Sequence, residues 1–326
     1  MNKLVLIDGH ALLFRAYYAY PPLTTSEGEL VGAVYGFTSI LLNTIKLLDP
    51  THIAVSFDLG EPTFRHKEFK AYKANRDETP PDLIVQEARL RQIVTALNIP
   101  VYEKAGFEAD DVIGTMAEQA TKRQVTLTRG SGQAHNKKQD KTDVIIVTGD
   151  MDALQLVDDD APGGSVHVFV PGRNRKPDTI YDEAHVEDKY QGLQPEQIID
   201  YKGLAGDPSD NIPGVKGIGP KTAITLLLKF SSIEGVYNVI DGNAISGIVS
   251  NSMIDKLRVG KESAFLSKKL ATIVRDAPVK LNLADCMLHS YDKDRVLTLF
   301  KELNFKSLIS KLPKDEFEQS VQEALF

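Results

Sequence analysis

The chain of 326 residues has one cysteine, Cys286, and lacks any long hydrophobic run. A single cysteine excludes an internal disulfide and any metal site made of several cysteines, which suits a reducing compartment. The first apolar run, residues 4–7, is too short for the core of a signal peptide, and no later run approaches the length of a membrane span. These absences predict a cytoplasmic protein with no membrane partner. A hydrophobic content of 42% is enough for one large or two modest domains.

Positive charge is also scarce, because 38 Lys and Arg face 45 Asp and Glu and the net charge is −7. Binding to phosphate needs Lys and Arg, so this balance argues at first against a nucleic-acid partner. The basic residues are nevertheless concentrated in residues 62–76, 122–141 and 256–275. In the first of these stretches basic and aromatic side chains alternate, which is typical of nucleic-acid binding. Each stretch taken alone is also compatible with a solvated surface.

Short apolar runs at residues 4–7, 53–57, 101–102 and 144–147 have the pattern of buried strands, and helical periodicity follows each of them. The longest helix is predicted from residue 31 to residue 48, and Asp82 is placed to cap the next one. A shorter helix is expected from residue 154 to residue 157. This alternation predicts an α/β fold with a mainly parallel central sheet flanked by helices.

Acidic residues come directly after each predicted strand. Because the carboxyl ends of parallel strands meet at one edge of a sheet, these acids should lie together. Two more acids follow in a turn-rich segment, and the complete set is Asp8, Asp58, Glu108, Asp110, Asp111, Asp150, Asp152, Asp207 and Asp210. Removing these nine from the 45 acids leaves 36 against 38 Lys and Arg, a slightly basic remainder.

Nine neighbouring carboxylates repel one another unless cations intervene, and oxygen-only ligands suit Mg²⁺ or Mn²⁺. Two metal ions about 3.5–4 Å apart, clamping the attacking and leaving oxygens of a phosphodiester, require such a cluster. Replacing one of these acids by its amide, for example Asp111→Asn, should then stabilise the metal-free protein. Any single acid of this set could instead lie in a solvated turn or cap a helix.

A glycine-rich segment at residues 214–222 resembles a phosphate-binding P-loop, but Pro220 interrupts the required Gly-Lys-Thr sequence and no buried strand precedes it. We interpret the segment as a turn between two helices whose exposed amides hold backbone phosphate. A simple helix–turn–helix packing element is the alternative. A phosphatase of the haloacid dehalogenase type, with Asp8 as nucleophile, would need a second Asp where His10 stands.

Five motifs, in this order, carry a family resemblance: LIDGHALLFRAYYA, TFRHKEFKAYKANR, GFEADDVIG, VTGDMDALQLV and GDPSDNIPGVKGIGPKTA. Together they resemble the 5′–3′ exonuclease and flap endonuclease family, in the form that precedes bacterial DNA polymerases of type I. The resemblance covers residues 4 to about 312. It implies a PIN-like core at residues 1–181, which carries a helical arch at about residues 59–81. A helix-two-turn-helix subdomain would follow at 182–290, and a C-terminal helical segment at 291–326.

The resemblance also implies roles for individual residues. The first metal ion would be bound by Asp8, Asp58, Glu108, Asp110 and Asp111. The second would be bound by Asp150, Asp152, Asp207 and Asp210. Lys73 would neutralise charge on the reacting phosphate, Tyr72 would stack on a base, and Arg65 and Arg76 would steer the strand. The alternative for Tyr72 and Phe69 is local packing within the arch. The duplex would be held, with a K⁺ ion, by Gly214, Gly217, Gly219, Lys221 and Thr222.

Two features depart from the family pattern. The loop at residues 128–142 is longer than usual, and Lys216 stands where a proline is common. The expected function is that of a monomeric, metal-dependent nuclease cutting DNA at 5′ ends, nicks, gaps and flap junctions, as in Okazaki-fragment primer removal and repair. A non-catalytic junction-binding module and a phosphatase are the alternatives. The sequence leaves open whether a polymerase region follows Phe326, how exonuclease and flap cleavage are balanced, and whether RNA or DNA is preferred at the 5′ end.

Overall fold

A computed structural model describes residues 1–122, 141–172, 176–242, 250–288, 291–315 and 318. Its centre is a six-stranded sheet in the order β3-β2-β1-β4-β5-β6. The strands are β1 (Asn2–Asp8), β2 (His52–Ser56), β3 (Val101–Tyr102), β4 (Thr142–Val147), β5 (Gly164–Val170) and β6 (Thr179–Tyr181). The first five are parallel and β6 pairs antiparallel with β5. The predicted α/β fold with a mainly parallel sheet is confirmed.

The two central strands, β1 and β4, are buried on both faces because their side chains alternate between two apolar cores. Leu4 pairs with Val144 and Ile7 pairs with Val147, and all four side chains are fully buried. Helices cover both faces, as the continuous apolar runs of these strands require.

The first face of the sheet is covered by α1 (Gly9–Ala19), α2 (Gly32–Leu48), α4 (Pro81–Ala96) and α12 (Lys293–Glu302). The second face is covered by α5 (Ala109–Thr121) and a 3₁₀ helix (Met151–Leu156). Val296 and Phe300 of α12 share one apolar cluster with β1, so this C-terminal helix packs on the core of the sheet. The division at residues 181 and 290 remains a prediction.

A third apolar cluster lies within the helices that follow the sheet. These are α7 (Ile198–Ala205), α8 (Pro220–Phe230), α9 (Ile233–Asp241), α10 (Asn251–Val259) and α11 (Lys261–Ala271). Helix α6 (Glu183–Lys189) precedes them, and its Val186 belongs to the second cluster. Two further 3₁₀ helices, Leu283–Cys286 and Lys306–Lys311, flank α12, and a short one, Pro195–Gln197, precedes α7. Among the described residues no single helix is long and apolar enough to cross a membrane. Helices α8 and α9 taken together have the length and composition of a membrane span, but they meet at a 77° bend.

Several local predictions need correction. Helix α4 begins at Pro81, so Asp82 lies in its first turn rather than at its cap, and its carboxylate accepts a hydrogen bond from Tyr17. The short helix after β4 is a 3₁₀ helix that begins at Met151. Of residues 59–81, only α3 (Phe64–Glu68) is α-helical before α4. The loop at 128–142 lies outside the described residues except for Lys141 and Thr142.

Candidate active site

The acids predicted at the strand ends do meet at one edge of the sheet. Asp8 is the last residue of β1, Asp58 lies two residues beyond β2, Glu108 precedes α5, and Asp150 follows β4. Asp8 also caps α1 by accepting from the backbone N–H of Ala11 at 3.0 Å, and Asp58 accepts from that of Ala109 at the start of α5 at 2.8 Å. Parallel pairing of β1 with both β2 and β4 is what brings these residues, distant in sequence, to the same place.

A threonine joins the ends of the two central strands. The Thr148 hydroxyl donates to Asp8 Oδ2 at 2.8 Å and accepts from the backbone N–H of Asp150 at 3.0 Å. The Asp150 carboxylate in turn accepts from the N–H of Asp152 at 2.9 Å. These bonds fix three of the predicted acids relative to one another.

The edge of the sheet opens into a cavity of about 730 Å³. Seven of the nine predicted acids line it: Asp8, Asp58, Glu108, Asp110, Asp150, Asp152 and Asp207. Basic and aromatic side chains line the same cavity, namely His10, Phe14, Arg15, Tyr18, Lys73, Arg76, Tyr190, Tyr201 and Lys202. The structure therefore brings most of the predicted acids together with Lys73 and Arg76.

Three acids of the cavity, Asp8, Asp110 and Asp150, form no ion pair with a lysine or arginine in the described part of the chain. Burial, reinforced by the neighbouring Asp58 carboxylate, raises the pKa of Asp8 to about 6. Burial and the Asp111 carboxylate raise the pKa of Asp110 well above its usual value. Asp150 is exposed to the cavity, yet enclosure by the protein raises its pKa, against the opposing effect of Lys202. A cation bound here would relieve this repulsion.

Other acids at the cavity are neutralised by the protein itself. Lys73 Nζ lies 2.6 Å from Glu108 Oε2 and 3.7 Å from Asp210 Oδ2. Burial opposes the charge on Glu108, but Lys73 and then Arg65 hold its pKa below the usual range. Arg76 also contacts Asp210, at 2.5 Å. These contacts join the basic segment to the turn that contains Asp210. The backbone carbonyl of Asp210 also accepts a hydrogen bond from the backbone N–H of Lys73 at 2.9 Å.

The donor set fits hard divalent cations, because the acids lining the cavity offer only carboxylate oxygens and part of their charge is uncompensated. Among the residues that the structure describes, no three His, Cys, Asp or Glu side chains are already grouped closely enough to hold a metal ion. Ammonium groups between the carboxylates account for this spacing in part. Metal binding would therefore require some of these side chains to move.

Asp111 and Arg65 do not have the roles expected of them. Asp111 is fully buried, and Arg65, exposed by only 1%, donates to both of its oxygens at 2.8 and 2.7 Å. The same carboxylate also accepts from the backbone N–H groups of Glu108 and Val274. Asp111 is thus unavailable to a metal ion, and Arg65 is unavailable to a DNA strand. Asp111 was expected to be an unpaired member of the repulsive cluster, but the structure pairs it with a buried arginine.

Tyr72 and Gly214 also lie away from the surface where DNA could reach them. Tyr72 is 4% exposed and donates to Glu108 and Asp210, each at 3.1 Å, so local packing replaces the expected base stacking. Gly214 is buried, and its N–H and carbonyl are bonded to the hydroxyls of Ser267 and Ser263. By contrast Gly217, Gly219 and Lys221 are exposed, and Thr222 is half-buried.

Two residues of the cavity were missed by sequence reasoning. Lys202 contacts Asp152 and lies 2.5 Å from Asp207, and together with Ser209 it keeps the pKa of Asp207 low against the effect of burial. His10 Nδ1 accepts from the backbone N–H of Asp58 at 2.9 Å. The available signal for Lys202 was a charged residue within the largely apolar segment IIDYKGLA, five residues before Asp207.

Comparison with known proteins agrees with this geometry. Residues 3–191 match the model of the 5′–3′ exonuclease N-terminal resolvase-like domain, and residues 193–294 match that of the 5′–3′ exonuclease C-terminal SAM fold. The DNA polymerase I of Bacillus caldotenax is 42% identical over 329 residues, covering all of this chain and 34% of that protein. The chain spans about a third of the length of the curated relatives that it matches.

Solved structures of low sequence identity have the same fold. A T5 flap endonuclease in a pseudo-enzyme–product complex with DNA and metal ions aligns at a TM-score of 0.60 and 19% identity, covering 93% of this chain and 99% of that one. The catalytic core of Rad2 in complex with DNA substrate aligns at 0.58 and 15%, covering 93% and 87%. With both family models matched in order along one polypeptide, the chain belongs to the 5′–3′ exonuclease family.

Proposed function

We propose that this chain is a structure-selective nuclease that hydrolyses DNA phosphodiesters at 5′ ends, nicks, gaps and flap junctions. The observation that carries the proposal is the cavity at the carboxyl edge of the parallel sheet, where seven acids lie beside Lys73, Arg76 and Lys202. Carboxylates at such an edge suit divalent cations, and cationic side chains beside them suit the phosphate that those cations would attract.

The cation of choice is Mg²⁺ or Mn²⁺, because the donors are all oxygen atoms. One ion would be held by Asp8, Asp58, Glu108 and Asp110. A second would be held by Asp150, Asp152, Asp207 and Asp210. Two such ions, when bound, activate the attacking water and stabilise the leaving oxygen of the phosphodiester. Membership of the exonuclease family supports this assignment, as do the metal ions in the T5 complex.

The side chains of this chain supply orientation and charge. Lys73 lies at the junction of Glu108 and Asp210 and can turn its ammonium toward a phosphate entering the cavity. Arg76, half-exposed, can guide the strand. The exposed amides of Gly217 and Gly219, followed by Lys221 and Thr222 at the start of α8, form a surface for duplex phosphate, with K⁺ on the carbonyls of the turn.

The setting of this activity is also part of the proposal. We infer a monomer acting in the cytoplasm, where 5′-flap, nicked and gapped duplexes arise during replication and repair. A covalently linked polymerase region is consistent with relatives three times as long as this chain. Neither family membership nor the cavity depends on that linkage.

A 5′-labelled flap duplex, incubated with and without Mg²⁺, tests the proposed activity. We expect cleavage near the junction only with Mg²⁺, and no cleavage by Asp150→Asn or Asp152→Asn, which should still bind the flap. Asp276→Asn, at an exposed acid that does not line the cavity, is the matched control and should cleave normally.

Two other results would each replace the proposal with another function. Binding of the flap without cleavage under any divalent cation would identify a non-catalytic junction-binding module. Hydrolysis of a small phosphomonoester in preference to the flap would identify a phosphatase. Equal loss of binding and cleavage in the two active-site variants would contradict the separation of metal-binding acids from DNA-binding cations.

A further inference from the structure

Lys202 has an unusual position for a lysine. It projects from α7, its side chain is only 8% exposed, and its ammonium lies between two carboxylates from different parts of the chain. Nζ is 2.5 Å from Asp207 Oδ2 and also contacts Asp152 Oδ1. A buried ammonium is tolerated only when such partners compensate for lost hydration. The single positive charge of Lys202 therefore compensates for the negative charges of both carboxylates.

The two acids are anchored independently of the lysine, Asp207 through its carboxylate and Asp152 through its backbone. Asp207 Oδ1 accepts from the backbone N–H of Ser209 at 2.8 Å and from its hydroxyl at 2.5 Å. Asp152 lies in the first turn of the 3₁₀ helix that begins at Met151, and its backbone N–H is fixed by Asp150. Removal of the ammonium would thus leave two uncompensated carboxylates, both on anchored backbone, at the same place in the cavity.

Three other acids of the cavity differ in this respect. Within the described part of the chain, no lysine or arginine forms an ion pair with Asp8, Asp110 or Asp150. A cation can approach that side of the cavity without displacing a positive group. At Asp152 and Asp207, by contrast, the position between the oxygens is taken by Lys202.

We propose that Lys202 is a positioning residue that acts as an internal counter-cation: it holds Asp152 and Asp207 apart in the metal-free protein and is displaced when a divalent cation binds this pair. Lys202 lines the cavity, so its displaced ammonium moves into water or toward a phosphate oxygen. This inference rests on the proposed nuclease function. It adds that the two ions bind with unequal affinity. Among the described residues, lysine or arginine pairs with three of the four acids proposed for the second ion, Asp152, Asp207 and Asp210, but with only Glu108 of the four proposed for the first.

The affinity difference can be measured without cleavage, by titrating Mn²⁺ into the DNA-free protein and counting bound ions by electron paramagnetic resonance. We expect the wild type to bind one ion more tightly than the other. In Lys202→Met, which keeps the length of the side chain but removes its charge, the weaker ion should bind about tenfold more tightly, within the usual range of coupling between two sites. The tighter ion should be unaffected.

Lys268→Met is the matched control. Lys268 also bridges two carboxylates, at 2.7 Å from Asp200 and 2.9 Å from Glu234, but it does not line the cavity. Its replacement should leave both Mn²⁺ affinities unchanged. If Lys202 only tied α7 to the sheet, its replacement would likewise leave both affinities unchanged. Binding of the second ion by Lys202→Met that is equal to or weaker than binding by the wild type would overturn the proposal.

A second measurement uses the wild type and so does not depend on whether the variant folds. Reductive methylation followed by peptide mass spectrometry reports how accessible each ammonium is. Adding Mg²⁺ should increase the methylation rate of Lys202 several-fold and leave that of Lys268 unchanged. An unchanged or lower rate at Lys202, in protein that binds two ions, would refute displacement. Absence of any cation binding would instead refute the proposed nuclease function.

Discussion

Arg65 and Asp111 form a two-pronged ion pair in the interior, with N–O distances of 2.8 and 2.7 Å and almost no solvent exposure of either side chain. Removing the charge of one partner leaves the other buried without compensation, which costs about 3–5 kcal/mol. We therefore predict that Asp111→Asn lowers the free energy of unfolding by roughly this amount, as measured by urea denaturation in EDTA.

The control for this pair is Glu302→Gln, because the Glu302 side chain is 54% exposed in its contact with Arg89. Exposed ion pairs contribute about 0–1 kcal/mol, so this variant should unfold at nearly the same urea concentration as the wild type. If Asp111→Asn were as stable as the wild type, or more stable, Asp111 would be a member of the repulsive cluster after all.

Gly214 should be intolerant of any side chain. Its φ is +60°, and a Cβ atom there would lie 2.3 Å from the backbone nitrogen of Gly206. Strained backbone of this kind costs on the order of 1–3 kcal/mol even before the clash. Gly214→Ala should therefore lower the melting temperature markedly. Gly219→Ala, where φ is −97° and no atom lies within 4 Å of the new methyl group, should change it little. Similar melting temperatures for the two variants would contradict this account of the turn.

The stability of the metal-free protein should depend on pH through Asp8. Its pKa in the folded state is about 6, above the ordinary value of 3.8, so folding disfavours its charged form. The resulting destabilisation is complete above pH 6 and disappears as the pH falls toward 4, and stability should decline as pH rises through this window. Asp8→Asn removes the contribution, so the stability difference between variant and wild type should grow from pH 4 to pH 6. A difference that is constant across this range would show that folding does not disfavour the charged form of Asp8.

Lys73 and Lys221 should affect different steps of the reaction. Lys73→Ala should reduce the single-turnover cleavage rate far more than flap affinity, because its ammonium lies within the cavity beside Glu108. Lys221→Ala should weaken duplex binding and lower the slope of log affinity against log salt by about one phosphate contact. Salt-dependent binding assays and rapid-quench cleavage measure the two effects. Equal losses of affinity with unchanged single-turnover rates would remove Lys73 from the chemistry.

The sequence predicts where the site lies more accurately than it predicts which of its acids are paired with basic side chains. Alternation of apolar runs with acids predicts which strand ends meet, because parallel strands place their carboxyl ends on one edge. It does not predict which acids are already paired. Arg65 meets Asp111 across 46 positions, and Lys202 meets Asp152 across 50. Such contacts depend on how the segments fold back on the cavity, and a local charge count treats every acid as unpaired.

The acids of the cavity come from segments that are far apart in the sequence, so the complete cluster can form only after the last of these segments has been synthesised. Asp8 lies at the end of the first strand, whereas Asp207 and Asp210 follow α7, after the whole sheet has been made. A ribosome synthesising this chain would therefore present an incomplete cluster of acids until about residue 210 has left the exit tunnel. Under the proposed nuclease function, the nascent protein would be unable to cut nucleic acid during that interval, and the last acids to emerge would complete the set that binds metal.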